Sequence, residues 1–176
     1  MEHGTQAPVA MVARELGVSP ATLFVRMGTK NKLISAAFWP PDPPVLAVLE
    51  DNRIDTKTIE AQWIDIVADL AAWANAAIPA TFTLYGAGLR PKPSDDFADA
   101  TPARLRRALK KRIRDAVNAG TVECDPRMAA EVLLGTLEAR AMHALLGRRE
   151  LSARETREFA RALVETALRP KATPAP

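Results

Sequence analysis

Two cations, Arg26 and Lys30, lie four residues apart in the stretch SPATLFVRMGTK, residues 19–30. Arginine and lysine hold phosphates and other anions through charge-assisted hydrogen bonds. Taken alone, the pair is as typical of a solvated surface as of a nucleic-acid contact. The elements that position these side chains therefore decide which interpretation is preferred.

Residue types for catalysis or metal binding are sparse. Cys124 is the single cysteine, and His3 and His143 are the two histidines, so no metal-ligand cluster forms at recognisable spacing. No nucleophile paired with a base, no phosphate-cradling glycine loop and no carboxylate pair in a metal setting stands out. We predict no catalytic residue, no metal and no cofactor. We interpret Cys124 as an incidental thiol, because Glu123 and Asp125 beside it disfavour its thiolate.

The composition predicts an all-α protein. The chain has 176 residues, is 48% hydrophobic and is poor in aromatic residues. Alanine and leucine are abundant, and β-branched residues do not alternate, so helix is favoured throughout. The chain contains no run of about 18 uncharged apolar residues, so no membrane-spanning helix is predicted. Since the first ten residues also lack the features of a secretion signal, we expect a cytoplasmic protein.

The first two predicted helices are joined by a tight corner. Apolar residues recur at helical spacing up to Leu16, and Gly17 suits the left-handed residue that ends such a helix. Ser19 can cap the next helix, and Pro20 at its first position loses no hydrogen bond. That second helix should run to about Met27. Two helices joined in this way form the helix-turn-helix pattern, whose second helix enters the DNA major groove.

A proline cluster further along the sequence divides the chain into two predicted domains. A third helix from Lys30 is predicted to bury Leu33, Ile34, Ala37 and Phe38. It should stop at WPPDPP, residues 39–44, because prolines cannot continue a helix. We therefore predict a DNA-binding domain at 1–40, a second helical domain at 45–170 and a disordered tail at 171–176.

The second domain should contain several longer helices. A long helix is expected from about Thr56 to Ala77, with Pro79 breaking or kinking it, followed by a polar loop over residues 91–100. Three further helices are predicted at residues 101–119, 125–146 and 152–168.

A basic run, RLRRALKKRIR at residues 104–114, could be mistaken for the nucleic-acid surface. Its apolar residues sit at helical spacing, so the charges should occupy the opposite, solvated face. We favour an outer helix face over a direct nucleic-acid role.

The stretch VAMVARELGVSPATLFVRMGTKNKLISAAF resembles the DNA-binding region of the TetR family of bacterial transcriptional regulators. Matching positions include Val12, Ala13, Gly17, Val18, Ser19, Leu23, Lys30 and Leu33. The resemblance implies an N-terminal helix-turn-helix head, followed by a helical ligand-binding and dimerisation domain. The chain is expected to lack the first helix that family members place before this motif.

The resemblance also implies site residues. The DNA-binding candidates are Ser19, Pro20, Ala21, Thr22, Phe24, Arg26 and Lys30. Lys30 would bind phosphate together with the exposed amides of the third helix. Phe24 replaces a tyrosine whose hydroxyl bonds phosphate, and Met27 replaces a phenylalanine. Trp63, Phe82, Tyr85 and His143 could line an effector pocket, although aromatic residues at helical spacing are more often plain core.

In this family the last two helices pair with those of a second subunit, so we expect a homodimer bound to a double-stranded DNA operator. The function implied is repression, released by an unknown small molecule. The alternative is a helical ligand-binding or dimerisation module whose DNA head no longer works.

Overall fold

The alanine-rich and leucine-rich segments fold as helices throughout the part of the chain described by the computed structural model, residues 7–51, 58–89, 101–149 and 152–171. These ranges contain the helices α1 Val9–Glu15, α2 Pro20–Met27, α3 Lys30–Phe38, α4 Pro44–Asp51, α5 Ile59–Gly86, α6 Thr101–Asn118, α7 Pro126–Leu146 and α8 Ala153–Ala167. Extended pairing within them amounts to one antiparallel bridge between Val122 and Pro170. The all-α prediction is confirmed. No helix among the described residues is long and apolar enough to cross a membrane.

The chain divides into two compact units between Pro40 and Pro41, inside the proline cluster. The first unit holds α1 to α3 together with the end of α5 from Pro79 onwards. The second unit holds α4, the earlier part of α5, and α6 to α8. The predicted loop at residues 91–100 lies outside the described residues.

The first unit buries less apolar surface than its sequence pattern predicts. Ala13 and Leu23 are buried, at 1% and 7% exposure, where α2 packs against α1 and α3. Leu16, by contrast, is 61% exposed. In α3 no residue is fully buried, and Ala37 of its predicted buried face is exposed. The apolar spacing therefore predicts the helices correctly but overstates how much of each apolar face is buried.

The second unit contains the main hydrophobic core. In it α6 packs against α4 and α7, and α7 packs against α8. The largest fully buried side chains are Leu46, Leu49, Leu105, Leu109, Ile113, Leu133, Leu168, Val45, Val67 and Val164. Since each α-helix contributes one apolar stripe, these stripes bury one another around α6.

Pro79 was expected to break or kink the long helix, and of these two outcomes the structure excludes the break. α5 continues through Pro79 to Gly86. Proline removes one intrahelical amide donor, which is costly in an isolated helix. Here the packed side chains of Ala77, Ala80 and Leu84 around it are buried, and tertiary packing overrides local propensity.

At least three of the seven cations in the basic run of α6 form ion pairs with neighbouring segments. Arg104 donates to Asp42 at 2.5 Å and to both carboxylate oxygens of Glu50, at 3.1 and 3.2 Å. On the other side, Arg106 and Lys110 both pair with Glu131 of α7. These cations therefore tie α6 to its neighbours, which leaves less positive charge for a partner than the sequence suggests.

The proline cluster is anchored at several points. Besides Arg104, Asp42 accepts a hydrogen bond from the Thr101 hydroxyl at the start of α6. The indole N–H of Trp73 donates to the carbonyl oxygen of Pro41 at 3.2 Å. The segment that joins α3 to α4 is thus fixed to the second unit immediately after Pro40.

The chain after α8 returns to the α6–α7 turn. The Lys171 amide donates to the Thr121 carbonyl oxygen at 3.0 Å, and the Glu123 amide donates to the Leu168 carbonyl oxygen at 3.0 Å. Lys171, which was placed in the predicted disordered tail, is therefore bonded. Residues 172–176 lie outside the described residues.

Candidate functional site

The turn between α1 and α2 is fixed by two nested hydrogen bonds at Gly17. The Val18 amide donates to the Ala13 carbonyl oxygen at 3.0 Å, and the Gly17 amide donates to the Arg14 carbonyl oxygen at 3.1 Å. Gly17 has φ +67°, the left-handed conformation that this helix ending requires. The bonds from the Val18 and Gly17 amides satisfy carbonyl groups that the helix end would otherwise leave open, so the direction in which the chain leaves α1 is well defined.

α2 begins at the predicted residues. The Ser19 hydroxyl oxygen accepts a hydrogen bond from the Thr22 amide at 3.1 Å, and Pro20 occupies the first helical turn. The hydroxyls of Ser19 and Thr22 also lie 2.8 Å apart. Thr22, predicted to face a DNA groove, is thus engaged in the cap of its own helix.

Most of the residues predicted to contact DNA are accessible. Pro20, Ala21 and Arg26 are exposed, and Phe24 is 45% exposed, while Leu23 is turned inward at 7% exposure. Val25, which was not among the predicted DNA contacts, is 85% exposed. Helical spacing could have found it, because Val25 lies one turn after Ala21 on the side away from Leu23.

The start of α3 offers a second anion-binding element. Gly28 adopts φ +77°, and the Thr29 hydroxyl oxygen accepts from the Lys32 amide at 3.2 Å. Lys30, half-buried, is the first residue of the helix. The first amides of a helix and the positive end of its dipole attract phosphate, and a lysine there adds a full charge.

All charged residues in this region of the sequence are positive. Between Glu15 and Asp42 the sequence contains no acidic residue, whereas it contains Arg26, Lys30 and Lys32. A cationic surface without interspersed carboxylates favours a polyanionic partner through both affinity and steering.

A separate cavity of about 180 Å³ lies in the second unit, between the start of α5 and the end of α6. Its lining residues are Ile59, Gln62, Trp63, Ile66, Arg112, Asp115, Ala116, Ala119 and Thr121. The apolar walls suit a hydrocarbon or aromatic body. The polar side chains of Arg112, Asp115 and Gln62 could orient a polar group on the same molecule.

Of the four residues predicted to line a pocket, the structure brings Trp63 to this cavity. Phe82 and Tyr85 are about half exposed, at 49% and 50%, and belong to the first unit. His143 is exposed and does not line this cavity. Arg112 and Asp115 were not predicted as pocket residues, because both lie on the basic helix whose charges suggest an outer face.

Cys124 is half-buried, and burial, followed by the nearby charge of Asp125, raises the pKa of its thiol. The predicted disfavoured thiolate has the expected direction, although burial, rather than the acidic neighbours, is the larger cause. Within the described ranges, no cluster of three or more histidine, cysteine or carboxylate side chains could hold a metal ion.

One face of α7 carries an exposed apolar stripe. Met128 is 60% exposed, Val132 is 41% exposed and Leu146 is 72% exposed. Gly135 and Ala139 lie on the same line and are exposed, so this face is both apolar and narrow at its centre. Spacings of three and four residues place all of these positions on one side of the helix, opposite the buried face formed by Leu133 and Leu137.

Comparisons with known proteins identify the family and the fold. Residues 75–170 match the family model described as the AefR-like transcriptional repressor, C-terminal domain. No curated protein matches the chain.

Two solved structures share the fold. One is the transcriptional regulator FadR from Bacillus subtilis in complex with stearoyl-CoA, with a TM-score of 0.67 and 13% identity over 94% of this chain and 91% of that one. Salmonella enterica GusR has a TM-score of 0.60 and 18% identity over 93% of this chain and 88% of that one. At such identities the likeness establishes the fold, while the family match covers more than half of the sequence. The chain belongs to the TetR family of transcriptional regulators, with a C-terminal domain of the AefR-like repressor type.

Proposed function

We propose that this protein is a cytoplasmic repressor that binds operator DNA through α2 and leaves it when a small molecule occupies the second unit. The observation that carries the proposal is the exposed face of α2, held at a fixed angle by the Gly17 turn within a stretch free of acidic residues. An accessible helix held after a tight turn, in a segment whose charged residues are all cations, is suited to reading a major groove.

In this proposal, α3 positions the head and α2 reads the sequence. Lys30 and the first amides of α3 bind backbone phosphate, which fixes the register without specifying bases. The guanidinium of Arg26, at the exposed end of α2, can reach a phosphate or the acceptor edge of guanine. Phe24 can contact DNA only through its apolar ring, because it has no hydroxyl group.

We further propose that two copies of the chain associate through the α7 stripe of Met128, Val132 and Leu146. A second copy related by a twofold axis would cover the same residues on both subunits. The small residues Gly135 and Ala139 allow the two helices to approach closely. Such a dimer would present two copies of α2 to half-sites about one DNA turn, or a multiple of it, apart.

The cavity beside Trp63 is the proposed effector site. A dry cavity of roughly 150 Å³ is enough for benzene, so about 180 Å³ accommodates a molecule with one ring or a short chain. Stearoyl-CoA, present in the FadR structure, is far larger than this space. To release DNA, the ligand must bind the DNA-free arrangement more tightly than the DNA-bound one.

A gel-shift titration over a salt series tests the proposal. The probe is the DNA immediately upstream of the gene, and unrelated DNA of the same length is the control. We expect selective binding whose affinity falls steeply with salt, since each neutralised phosphate contributes about 0.9 to the logarithmic slope. Equal binding to both fragments, or no binding at 50 mM salt, would remove the operator-binding role.

One observation favours a second candidate function, a ligand-binding and dimerisation module without a working DNA head. Leu16 is 61% exposed, and α3 buries no residue fully, so the first unit has a thin core. A head that unfolds easily could not hold α2 in place. The same titration separates the candidates, because this module would dimerise normally while binding neither fragment.

A further inference from the structure

The outward face of α2 is apolar, which is unusual for a surface that meets a polyanion. Val25 is 85% exposed and Phe24 is 45% exposed, and Ala21 lies beside them, one turn before Val25. Leu23, on the opposite side, supplies the packing that holds α2 against its neighbours. Val25 therefore contributes little to the fold of the unit, and its exposed methyl groups are available to a partner.

Polar groups on α2 are limited to its two ends. Ser19 and Thr22 bond each other at the start of the helix, with their hydroxyl oxygens 2.8 Å apart. Arg26 lies in the last turn, two residues before Gly28, which ends the helix. The middle of the exposed face thus has no side chain that could donate hydrogen bonds to a base edge.

We propose that Val25, together with Ala21, recognises the 5-methyl groups of thymines in the major groove. This inference rests on the proposed DNA-binding function and specifies the sequence that the head prefers. Thymine is the one DNA base that presents a methyl group in that groove, and alanine and other apolar side chains are suited to contact it. Half-sites should therefore contain thymines opposite the middle of α2.

The spacing of Ala21 and Val25 and the positive charge near them both fit DNA as the partner. Residues four apart on a helix rise about 6 Å along its axis, and stacked base pairs rise about 3.4 Å, so Ala21 and Val25 would meet bases within about two steps of each other. The cations that follow this apolar face, Arg26 and Lys30, would meet phosphates beside it, and no carboxylate between Glu15 and Asp42 opposes them. A protein or lipid partner for the patch would not require that arrangement of charge.

The test uses a chemical deletion of the methyl group. The full-length protein first selects its preferred duplex from a random pool, and each thymine of that duplex is then replaced by deoxyuridine, which lacks only the 5-methyl group. At one or two positions per half-site we expect affinity to fall about fourfold, the factor corresponding to about 0.8 kcal/mol for a buried methyl group. Replacement at the remaining thymines should have no effect.

Val25→Ala identifies the residue responsible. The variant should bind the thymine duplex about tenfold more weakly, and at the position facing Val25 the deoxyuridine penalty should disappear. Val48→Ala is the matched control, because Val48 is also exposed, at 41%, but lies on α4 in the second unit. It should keep both the affinity and the penalty. Circular dichroism of both variants should match that of the parent protein.

The outcomes separate this inference from the proposed function. Selection of a duplex whose binding is unaffected by deoxyuridine at every position would refute thymine reading while leaving DNA binding intact. A penalty that persists unchanged in Val25→Ala would assign the methyl contact to another residue and refute the role of Val25. Failure to enrich any duplex, with no salt-sensitive binding, would overturn the proposed function and this inference with it.

Discussion

The amide of Val18 donates a hydrogen bond to the carbonyl oxygen of Ala13 at 3.0 Å, spanning the left-handed Gly17. This bond closes the end of α1 and sets the direction in which the chain leaves it. Ser19 then caps α2 one residue later, which leaves little freedom between the two helices. The orientation of the exposed face of α2 therefore depends on the conformation of a single glycine.

Gly17→Ala should destabilise the first unit. Nothing lies within 4 Å of a Cβ added at this glycine, so the cost is the left-handed conformation itself, about 1 kcal/mol. Urea unfolding followed by far-UV circular dichroism measures the change. Gly86→Ala is the control, because Gly86 is helical and equally open, and alanine there should be neutral or stabilising. Equal destabilisation by both substitutions would contradict the role assigned to the turn.

Lys30→Ala should weaken DNA binding by a similar factor on every sequence. Removing one phosphate contact should reduce the slope of log affinity against log salt by about one. Fluorescence anisotropy with a preferred and an unrelated duplex, at several salt concentrations, provides both quantities. The control is Arg154→Ala, whose side chain is 88% exposed on α8 in the second unit. A change in sequence preference without a change in slope would argue against a phosphate contact.

Val132→Glu should convert the dimer to monomers. A twofold interface would place a carboxylate from each subunit in the same desolvated stripe, where neither has a partner. Sedimentation velocity measures the result. Val48→Glu makes the same substitution at the same exposure, 41%, on α4, and should remain dimeric. If the parent chain sediments as a monomer, or if Val132→Glu remains a dimer, then α7 is not the interface.

The contact that Glu131 makes between α6 and α7 should stabilise the protein less at low pH. Hydrogen bonds from Arg106 and then Lys110 lower the pKa of this carboxyl from 4.5 to about 2. Because the folded value lies below the unfolded one, the stabilisation is complete above about pH 4.5 and is lost as the pH falls towards 2. Thermal unfolding between pH 2 and 7 should show Glu131→Gln losing less stability over this window than the parent. Since the group is exposed, the difference should be small, and parallel pH profiles would contradict it.

Local chemistry made the first unit largely predictable. A left-handed position filled by Gly17, a cap supplied by Ser19 and a proline at the start of α2 act within a few residues, so their effects can be inferred from spacing. The exposure of Val25 follows from the same helical periodicity. The exposure of Leu16 was not predictable, because the sequence pattern shows which face is apolar but not whether another segment covers it.

Contacts between residues far apart in the sequence explain the remaining differences between the predictions and the structure. Arg104 finds Glu50 more than fifty residues away, and Glu131 lies on a different helix from the two cations that it pairs with. The sequence of α6 alone shows positive charges at helical spacing, and therefore suggests a solvated face. The sequence leaves open whether Pro79 breaks or kinks α5, and the buried Ala77, Ala80 and Leu84 on either side of it explain why the helix continues. The cavity beside Trp63 likewise depends on how α5 meets α6.

The central claim, that the exposed face of α2 contacts DNA, is tested most directly by Ala21→Asp. A carboxylate at this exposed position would face the phosphates and the mostly electronegative base edges without disturbing the packed side of the helix. The dissociation constant for the selected duplex should rise at least a hundredfold, while Ala72→Asp, on an exposed position of α5, should leave it unchanged. Unaltered DNA affinity in a correctly folded Ala21→Asp protein would show that DNA, if it binds at all, binds elsewhere.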